Sequence, residues 1–239
     1  MSAPRRVLVV GATGHLGSAI ARALARRGDQ VVLTARDAER LEALAHELAH
    51  LTIPHPPPPR MISADLRAPE GPAHLADAVL ATGGLDDLVL AGGPFPRTPL
   101  NALSREALLD ALTVHTVAPL LLANALAEQL TLSNGAIVAL SDAGVTRPYP
   151  NHLAYLAAKG ALEAGLRALA TELAPRVRVN ALALGIVTDP ESGHDPARAT
   201  RLAARTPMGR FGTPEEVAHA TLALLDATWT TGEVWGVGR

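Results

Sequence analysis

Hydrophobic positions along the chain follow two alternating patterns. Short runs of aliphatic residues, such as VLVV near the N-terminus, predict buried strands. Between them lie longer stretches in which alanine and leucine recur every three or four positions, as in amphipathic helices. The strands are predicted at 5–10, 30–35, 60–64, 87–91, 135–140, 176–182 and 232–238, and the helices at 15–28, 37–50, 72–81, 101–130, 152–173 and 213–227.

This strand–helix alternation predicts the fold class α/β. Parallel strands need helical crossovers, which cover both faces of a doubly wound, Rossmann-type sheet of about seven strands. No repeat or linker interrupts the pattern, so residues 1–239 are expected to form a single domain. Two segments fall outside the alternation. The proline run at 51–60 predicts a surface loop, and the stretch 188–208, rich in proline, glycine and charge, predicts a mobile flap.

Composition narrows the function. A net charge of −2 and a pI near 6.5 give no basic face, so nucleic acid and anionic membranes are not expected partners. There is no cysteine, which excludes disulfides and thiolate metal sites. His46 and His50 share a helix face without a third ligand nearby, and no metal site is predicted. With no cleavable leader and no apolar run of about eighteen residues, we expect a soluble, cytoplasmic protein.

A glycine-rich loop follows the first predicted strand and opens the first predicted helix. Glycine permits the tight turn and the close backbone approach that a pyrophosphate needs, and a helix N-terminus offers free N–H groups and positive dipole. The context is the one that a dinucleotide site requires, although a tight turn without a ligand would use the same residues. The predicted cofactor-binding residues of this loop are Gly11, Thr13, Gly14, His15, Leu16 and Gly17.

The next strand ends at Arg36, where an NAD site would place a carboxylate for the ribose hydroxyls. The planar guanidinium binds phosphate oxygens in pairs, so Arg36 favours NADP(H) over NAD. A solvated arginine is the alternative. After the third strand, Asp65 and Leu66 are expected where the adenine ring would lie.

Tyr155 and Lys159 are four residues apart in a predicted helix and therefore share a face. Lys159 is the only lysine in the chain. A free phenol has a pKa of about 10, and a nearby ammonium is expected to lower it, which would make Tyr155 an effective acid–base group.

These residues identify a resemblance. The motif Y155-L-A-A-K159, with the glycine loop upstream and the segment GALEAGLRALATELAPRVRVNALALG downstream, resembles the short-chain dehydrogenase/reductase family over essentially the whole chain. The resemblance implies that Tyr155 donates a proton to a carbonyl or imine, and that Lys159 binds the nicotinamide ribose and tunes Tyr155. It implies self-association as a homotetramer or homodimer through the two long helices. Further cofactor contacts are implied at Ala91, Gly92, Gly93, Gly185 and Thr188.

The chain departs from the family where a serine normally stands, thirteen residues before the tyrosine; here this residue is Asp142. The pteridine reductases and similar dihydromonapterin reductases resemble it in this respect, and also in a basic residue at the position of His15 and a phenylalanine at that of Phe95. Asp142 is therefore a predicted catalytic and substrate residue, and Phe95 a predicted stacking surface for the substrate. In the alternatives, Ser141 does the work of the missing serine, Asp142 caps a turn, and Phe95 anchors its loop in the core.

The family's catalytic asparagine is replaced by His115, which could keep a proton path or interrupt it. We therefore carry three hypotheses. The first is an NADPH-dependent oxidoreductase that transfers hydride to a C=N or C=O group of a small, pterin-like substrate. The second is a carbonyl reductase acting on a 3-oxoacyl compound or small ketone. The third is a non-catalytic NADP-binding sensor, against which the retained Tyr155–Lys159 pair argues.

Overall fold

The computed structural model describes residues 4–51, 58–188 and 196–238. Its strands form one parallel sheet, as the alternation predicted, in the order β3-β2-β1-β4-β5-β6-β7. The strands within these described ranges are β1 (Arg6–Val10), β2 (Gln30–Ala35), β3 (Arg60–Ser63), β4 (Asp87–Leu90), β5 (Ala136–Asp142), β6 (Arg178–Leu184) and β7 (Val234–Val237).

The helices also follow the prediction, except that the helix predicted at 101–130 is divided and that the helix Pro196–Ala203 lies in the stretch predicted as a flap. They are α1 (His15–Arg27), α2 (Ala38–Ala49), α3 (Gly71–Ala81), α4 (Arg105–Leu112), α5 (Ala118–Ala125), α6 (Ala127–Ser133), α7 (Leu153–Leu173), α8 (Pro196–Ala203) and α9 (Pro214–Asp226). The predicted helix 101–130 is divided. A π-helical turn, Thr113–Val117, separates α4 from α5, and such turns often lie at functional sites.

Side chains of β1 show why the sheet is covered on both faces. Successive strand residues point to opposite faces, so Val7 and Val9 pack in the core beside α1, α2 and α9, while Leu8 and Val10 pack beside α3, α5 and α7. Because both faces are buried, the strand reads as a continuous hydrophobic run rather than an alternation.

The sheet order places the site. The chain runs outward from β1 to β3 and then crosses back to lay β4 beside β1. Ligands of open α/β sheets bind at this reversal, beyond the carboxyl ends of the strands. The glycine loop after β1, the glycines after β4 and the end of β5 all meet at this edge.

The stretch Arg105–Ala125 is long and apolar enough, by length and composition, to cross a membrane, and 39% of it is buried inside the fold. It is interrupted by the π-helical turn, and it packs against α3 and α7. Core helices of soluble proteins meet the same criterion.

Parts of two predicted segments lie outside the described residues: 52–57 of the proline run and 189–195 of the flap. Within the described part of the flap, Pro196–Ala203 is helical.

Candidate functional site

The glycine loop forms a cradle at the start of α1. Gly14 is the N-cap residue and offers no capping side chain, and the first turn of α1 contains no acidic residue. Its N–H groups are therefore available to an anion. Gly11 has a positive φ of 78°, and a Cβ there would overlap the backbone of Gly92. Only glycine permits this approach. The residues present therefore fit a dinucleotide pyrophosphate.

Two arginines lie beside this cradle. Arg36 follows β2 and is exposed, and its guanidinium makes no hydrogen bond to any described residue. Arg40 was not predicted. Its Nη2 donates to the carbonyl oxygen of Thr13 at 2.9 Å and so ties α2 to the glycine loop. A sequence signal existed, because Arg40 stands in the first turn of a helix, where the dipole disfavours a cation.

The residues expected around the adenine and the nicotinamide lie along the same edge. Asp65 is exposed after β3, and its Oδ1 accepts a hydrogen bond from the Arg67 N–H at 3.0 Å. Leu66 packs against the core beside α3. The N–H of Ala91 donates to the Val10 carbonyl at 3.0 Å, which fixes the loop after β4 against β1.

His15 and Thr188 meet across the edge. The His15 Nε2 lies 2.5 Å from the Thr188 carbonyl oxygen, which joins the start of α1 to the loop after β6. The Thr188 hydroxyl donates to the Gly212 carbonyl at 3.0 Å. Gly185 is packed so closely against Gly238 that a Cβ would overlap its carbonyl oxygen. The structure thus brings the predicted residues of both loops together.

Asp142 lies at the centre of the candidate active site, at the carboxyl end of β5. Its Oδ1 accepts the Gly144 N–H at 2.6 Å, and its Oδ2 accepts the Tyr155 hydroxyl at 3.2 Å. Oδ1 therefore caps a turn, as the alternative proposed, while Oδ2 is bound to Tyr155, and the catalytic role of Asp142 stays a prediction. The predicted Asp142–Tyr155 pair is formed in three dimensions.

Tyr149 also belongs to this site and was missed by the sequence reasoning. Its hydroxyl donates to the same Asp142 Oδ2 at 2.9 Å. Both tyrosines of the chain therefore bind one carboxylate oxygen. The sequence did contain a signal for Tyr149: the chain has only two tyrosines, and they stand six residues apart beside the same motif.

The expected effect of Lys159 on Tyr155 is wrong for this structure. The pKa of Tyr155 is raised above its usual value, first by burial and then by the charge of Asp142. Burial and the same carboxylate raise the pKa of Tyr149. Both phenols are thus held protonated near neutral pH, and the burial and charge that raise their pKa values also make each proton harder to release.

Lys159 is buried and faces the end of β5. Its Nζ donates to the Leu140 carbonyl oxygen at 2.6 Å and lies 5.8 Å from the centroid of the Tyr155 ring. Burial lowers the pKa of Lys159 to about 8, although Asp142 and Glu163 act in the opposite direction.

Ser141 does not replace the family's serine. It is buried, and its hydroxyl donates to Glu163 Oε1 at 2.7 Å. Glu163 lies two helical turns beyond Tyr155 on α7, so Ser141 and Asp142 bind different parts of the same helix. The prediction of Ser141 as a substrate residue is therefore corrected, because its buried hydroxyl is already bound to Glu163.

His115 occupies the π-helical turn, at the position of the family's asparagine. Its Nε2 lies 2.9 Å from the Pro94 carbonyl oxygen, and its buried Nδ1 has no hydrogen-bond partner among the described residues. Burial, and secondly the charge of Lys159, lower the pKa of His115 to about 4, so the ring is neutral at physiological pH. Its ring packs edge-on against Tyr155 with centroids 5.1 Å apart.

Phe95 is 55% exposed, which excludes the alternative that it anchors its loop in the core. It stacks on His152 with ring centroids 4.1 Å apart and meets Tyr155 edge-on at 4.8 Å. Phe95 and both tyrosines surround Asp142, so half of the chain's six phenylalanine, tyrosine and tryptophan residues line this one site.

The described residues contain no group of three or more His, Cys, Asp or Glu side chains arranged to hold a metal ion. The rings of His46 and His50 are 4.3 Å apart on α2, away from the site.

Comparisons with known proteins agree with this geometry. Residues 11–238 match the family model described as enoyl-(acyl carrier protein) reductase. Carbonyl reductase family member 4 of Danio rerio is 30% identical, over 96% of this chain and 94% of its own.

Two solved structures show the same fold. An NADPH-bound short-chain oxidoreductase from Pseudomonas aeruginosa PAO1, described as containing an atypical catalytic centre, superposes with a TM-score of 0.88 at 27% identity and covers 98% of this chain and 95% of its own. An NAD⁺-bound xylitol dehydrogenase superposes with a TM-score of 0.89 at 25% identity, with 98% of each chain covered. The match to the family model, the Tyr155–Lys159 pair and the glycine cradle together show that the chain belongs to the short-chain dehydrogenase/reductase family and is an oxidoreductase of that family.

Proposed function

We propose that the protein is an NADP(H)-dependent reductase of a C=O or C=N group in a small molecule. The observation that carries the proposal is the hydrogen bond from Tyr155 to Asp142, set beside the buried Lys159 at the same sheet edge as the glycine cradle. A protonated phenol held in place by a carboxylate can donate a proton to a substrate, and a protein that only binds the cofactor would not need such a group.

Preference for NADP(H) rests on charge. The exposed Arg36 guanidinium has no hydrogen-bond partner among the described residues and lies near the cradle, and His15 adds a second basic group. A phosphate on the ribose would find donors there, whereas an NAD site would offer a carboxylate.

In the proposed reaction the bound nicotinamide supplies the hydride, and the side chains manage the proton. Tyr155 gives its phenolic proton to the oxygen or nitrogen of the substrate while the hydride reaches the carbon. Asp142 holds the Tyr155 hydroxyl in place at 3.2 Å. Lys159 supplies a fixed positive charge nearby, which opposes the negative charge that remains on the phenol.

A carbonyl compound is the first substrate class to test. The Danio rerio relative is a carbonyl reductase by its name, and a reduced C=O requires only the proton donor and hydride described above. A 3-oxoacyl compound and a small ketone represent this class. The range of acceptors that the protein reduces would show whether its substrate pocket is long or compact.

A second candidate, a pterin-like substrate, is favoured by one specific observation. Phe95 presents an exposed ring beside Asp142. A planar heterocycle could stack on such rings, and a carboxylate would accept hydrogen bonds from its amino-pyrimidine edge. In this case Asp142 stands in place of a serine because its carboxylate binds both the substrate and the Tyr155 hydroxyl.

The test is NADPH oxidation by the purified protein with a 3-oxoacyl thioester, a small ketone and a dihydropterin, each beside the Tyr155→Phe variant. Turnover that the variant loses supports the reductase, and the preferred acceptor decides between the two classes. If the protein binds NADPH but reduces none of these acceptors, the proposal is contradicted and the hypothesis of a non-catalytic NADP-binding sensor is favoured instead.

Self-association is also proposed. Leu109, Val117 and Leu121 are each about half exposed along the segment Arg105–Ala125, which flanks α7. Light scattering would show a dimer or tetramer, and Leu121→Glu is expected to weaken it. We further propose that the protein works in the cytoplasm, where NADPH is available.

A further inference from the structure

Glu163 is a buried carboxylate that the proposed reaction does not use. It lies one turn after Lys159 on α7 and is only 4% exposed. Burying an ionised carboxylate costs several kcal/mol unless its neighbours compensate. The contacts of Glu163 should therefore indicate what the buried charge does.

These contacts fasten α7 to the end of β5. Glu163 Oε1 accepts the Ser141 hydroxyl at 2.7 Å, and Lys159 Nζ donates to the Leu140 carbonyl at 2.6 Å. Two consecutive strand residues are thus bound by two helix residues one turn apart. The next strand residue is Asp142, so this double attachment positions the carboxylate that holds Tyr155.

Four titratable side chains face Lys159. Asp142 faces it from β5, His115 from the π-helical turn, and Tyr155 and Glu163 from α7. The histidine ring is neutral and the phenol is protonated, so the two carboxylates are the negative charges of the group. Asp142 has the larger effect, but it also serves two phenols and the Gly144 N–H.

We propose that Glu163 is a positioning residue that keeps Lys159 charged inside the protein, and that Ser141 holds its carboxylate for this purpose. Arg167, whose side chain is 53% exposed, forms an ion pair with the same carboxylate at 3.5 Å from Oε2, while Lys159 lies one turn away from Glu163 without an ion pair within 4 Å. The inference concerns the protonation of Lys159 itself. Only its consequence for NADPH binding rests on the proposed function.

The chain permits a direct test because Lys159 is its only lysine. Protein labelled with ¹⁵N and ¹³C in lysine shows a single ammonium group by NMR, which can be titrated in the free protein. In Glu163→Gln, the titration midpoint is expected to fall by about 1 pH unit. Ser141→Ala keeps the charge and is expected to shift the midpoint less.

A second variant guards against loss of folding in Glu163→Gln. Arg167 lies at the surface, and Arg167→Ala is expected to raise the Lys159 midpoint, because Glu163 loses the partner of its ion pair and a nearby positive charge is removed. Combining it with Ser141→Ala separates the two causes, since only the first depends on how Glu163 is held. Circular dichroism confirms the fold of each variant. If Glu163→Gln leaves the midpoint at the wild-type value, or if it does not fold and Arg167→Ala produces no rise, the inference is overturned.

NADPH binding gives an independent readout. A midpoint lowered from about 8 to about 7 leaves about fivefold less charged Lys159 at pH 8, and the affinity of Glu163→Gln is expected to drop accordingly at that pH but not at pH 6. A lowered midpoint in a protein that does not bind NADPH would support the role of Glu163 and contradict the proposed cofactor.

Discussion

Replacing Asp142 with asparagine probes the centre of the site with little change in shape. The amide keeps an oxygen for the Gly144 N–H, which now lies 2.6 Å from Oδ1. It removes the negative charge and turns the acceptor of the two phenols into an N–H group, so Tyr149 and Tyr155 lose the oxygen that they share at 2.9 and 3.2 Å.

The expected shift follows from the causes of the raised pKa values. Burial is the first cause for both phenols and remains in the variant, while the Asp142 charge is the second and is removed. A phenolate beside a carboxylate is a pair of like charges, so removing the carboxylate lowers the pKa of each phenol. A like charge at this range is worth about 1–3 pH units, or about 1.4–4 kcal/mol.

Ultraviolet difference absorbance of tyrosinate measures this titration without background, because the chain contains no other tyrosine. Asp142→Asn is expected to form tyrosinate at a pH about 1–3 units below that of the wild type. The control is Tyr149→Phe in each background, which leaves Tyr155 alone. Superimposable curves for the wild type and Asp142→Asn would refute the reasoning and leave burial as the sole cause of the raised pKa.

Three further predictions test other parts of the site. Gly93 has a φ of 135° and a Cβ there would overlap the His115 ring, so Gly93→Ala should lower the free energy of unfolding in urea by about 2–4 kcal/mol. As the control, Gly28 has a φ of 96° but open space around it, so Gly28→Ala should lower this free energy by only about 1 kcal/mol. Equal losses in the two variants would contradict the overlap with His115. Tyr149→Phe should lower kcat/KM about tenfold, through the loss of one hydrogen bond to Asp142, and an unchanged value would remove Tyr149 from the site's function. Arg36→Asp should weaken NADPH binding about tenfold to a hundredfold without weakening NADH in calorimetry, and equal weakening of both cofactors would show that Arg36 does not read the phosphate.

Local patterns were sufficient for most of the fold. The hydrophobic run of β1 predicted a strand buried on both faces, and the glycine loop with the helix after it predicted the cradle. The division at Thr113–Val117 was missed, because a π-helical turn leaves the apolar period of a helix almost unchanged.

The site was predicted as far as its residues interact within one element or follow a strand end. Tyr155 and Lys159 share a face because they are one helical turn apart, and Asp142 meets Tyr155 where β5 ends beside α7. The roles of Tyr149 and Ser141 were missed or misassigned. The Ser141 hydroxyl binds Glu163 on α7 and the Tyr149 hydroxyl binds Asp142 at the end of β5, and a spacing along the chain does not show which carboxylate each hydroxyl meets.

The sequence by itself determined the alternation of elements, the cradle and the placement of Tyr155 and Lys159 on one helix face, because these depend on residue type and on neighbours within one turn or strand. The tertiary structure alone decided the protonation states. Lys159 was expected to lower the pKa of Tyr155, yet the phenol is held protonated. Burial and charges from other elements set the cost of ionisation, and these exist only once β5, α7 and the π-helical turn are packed together.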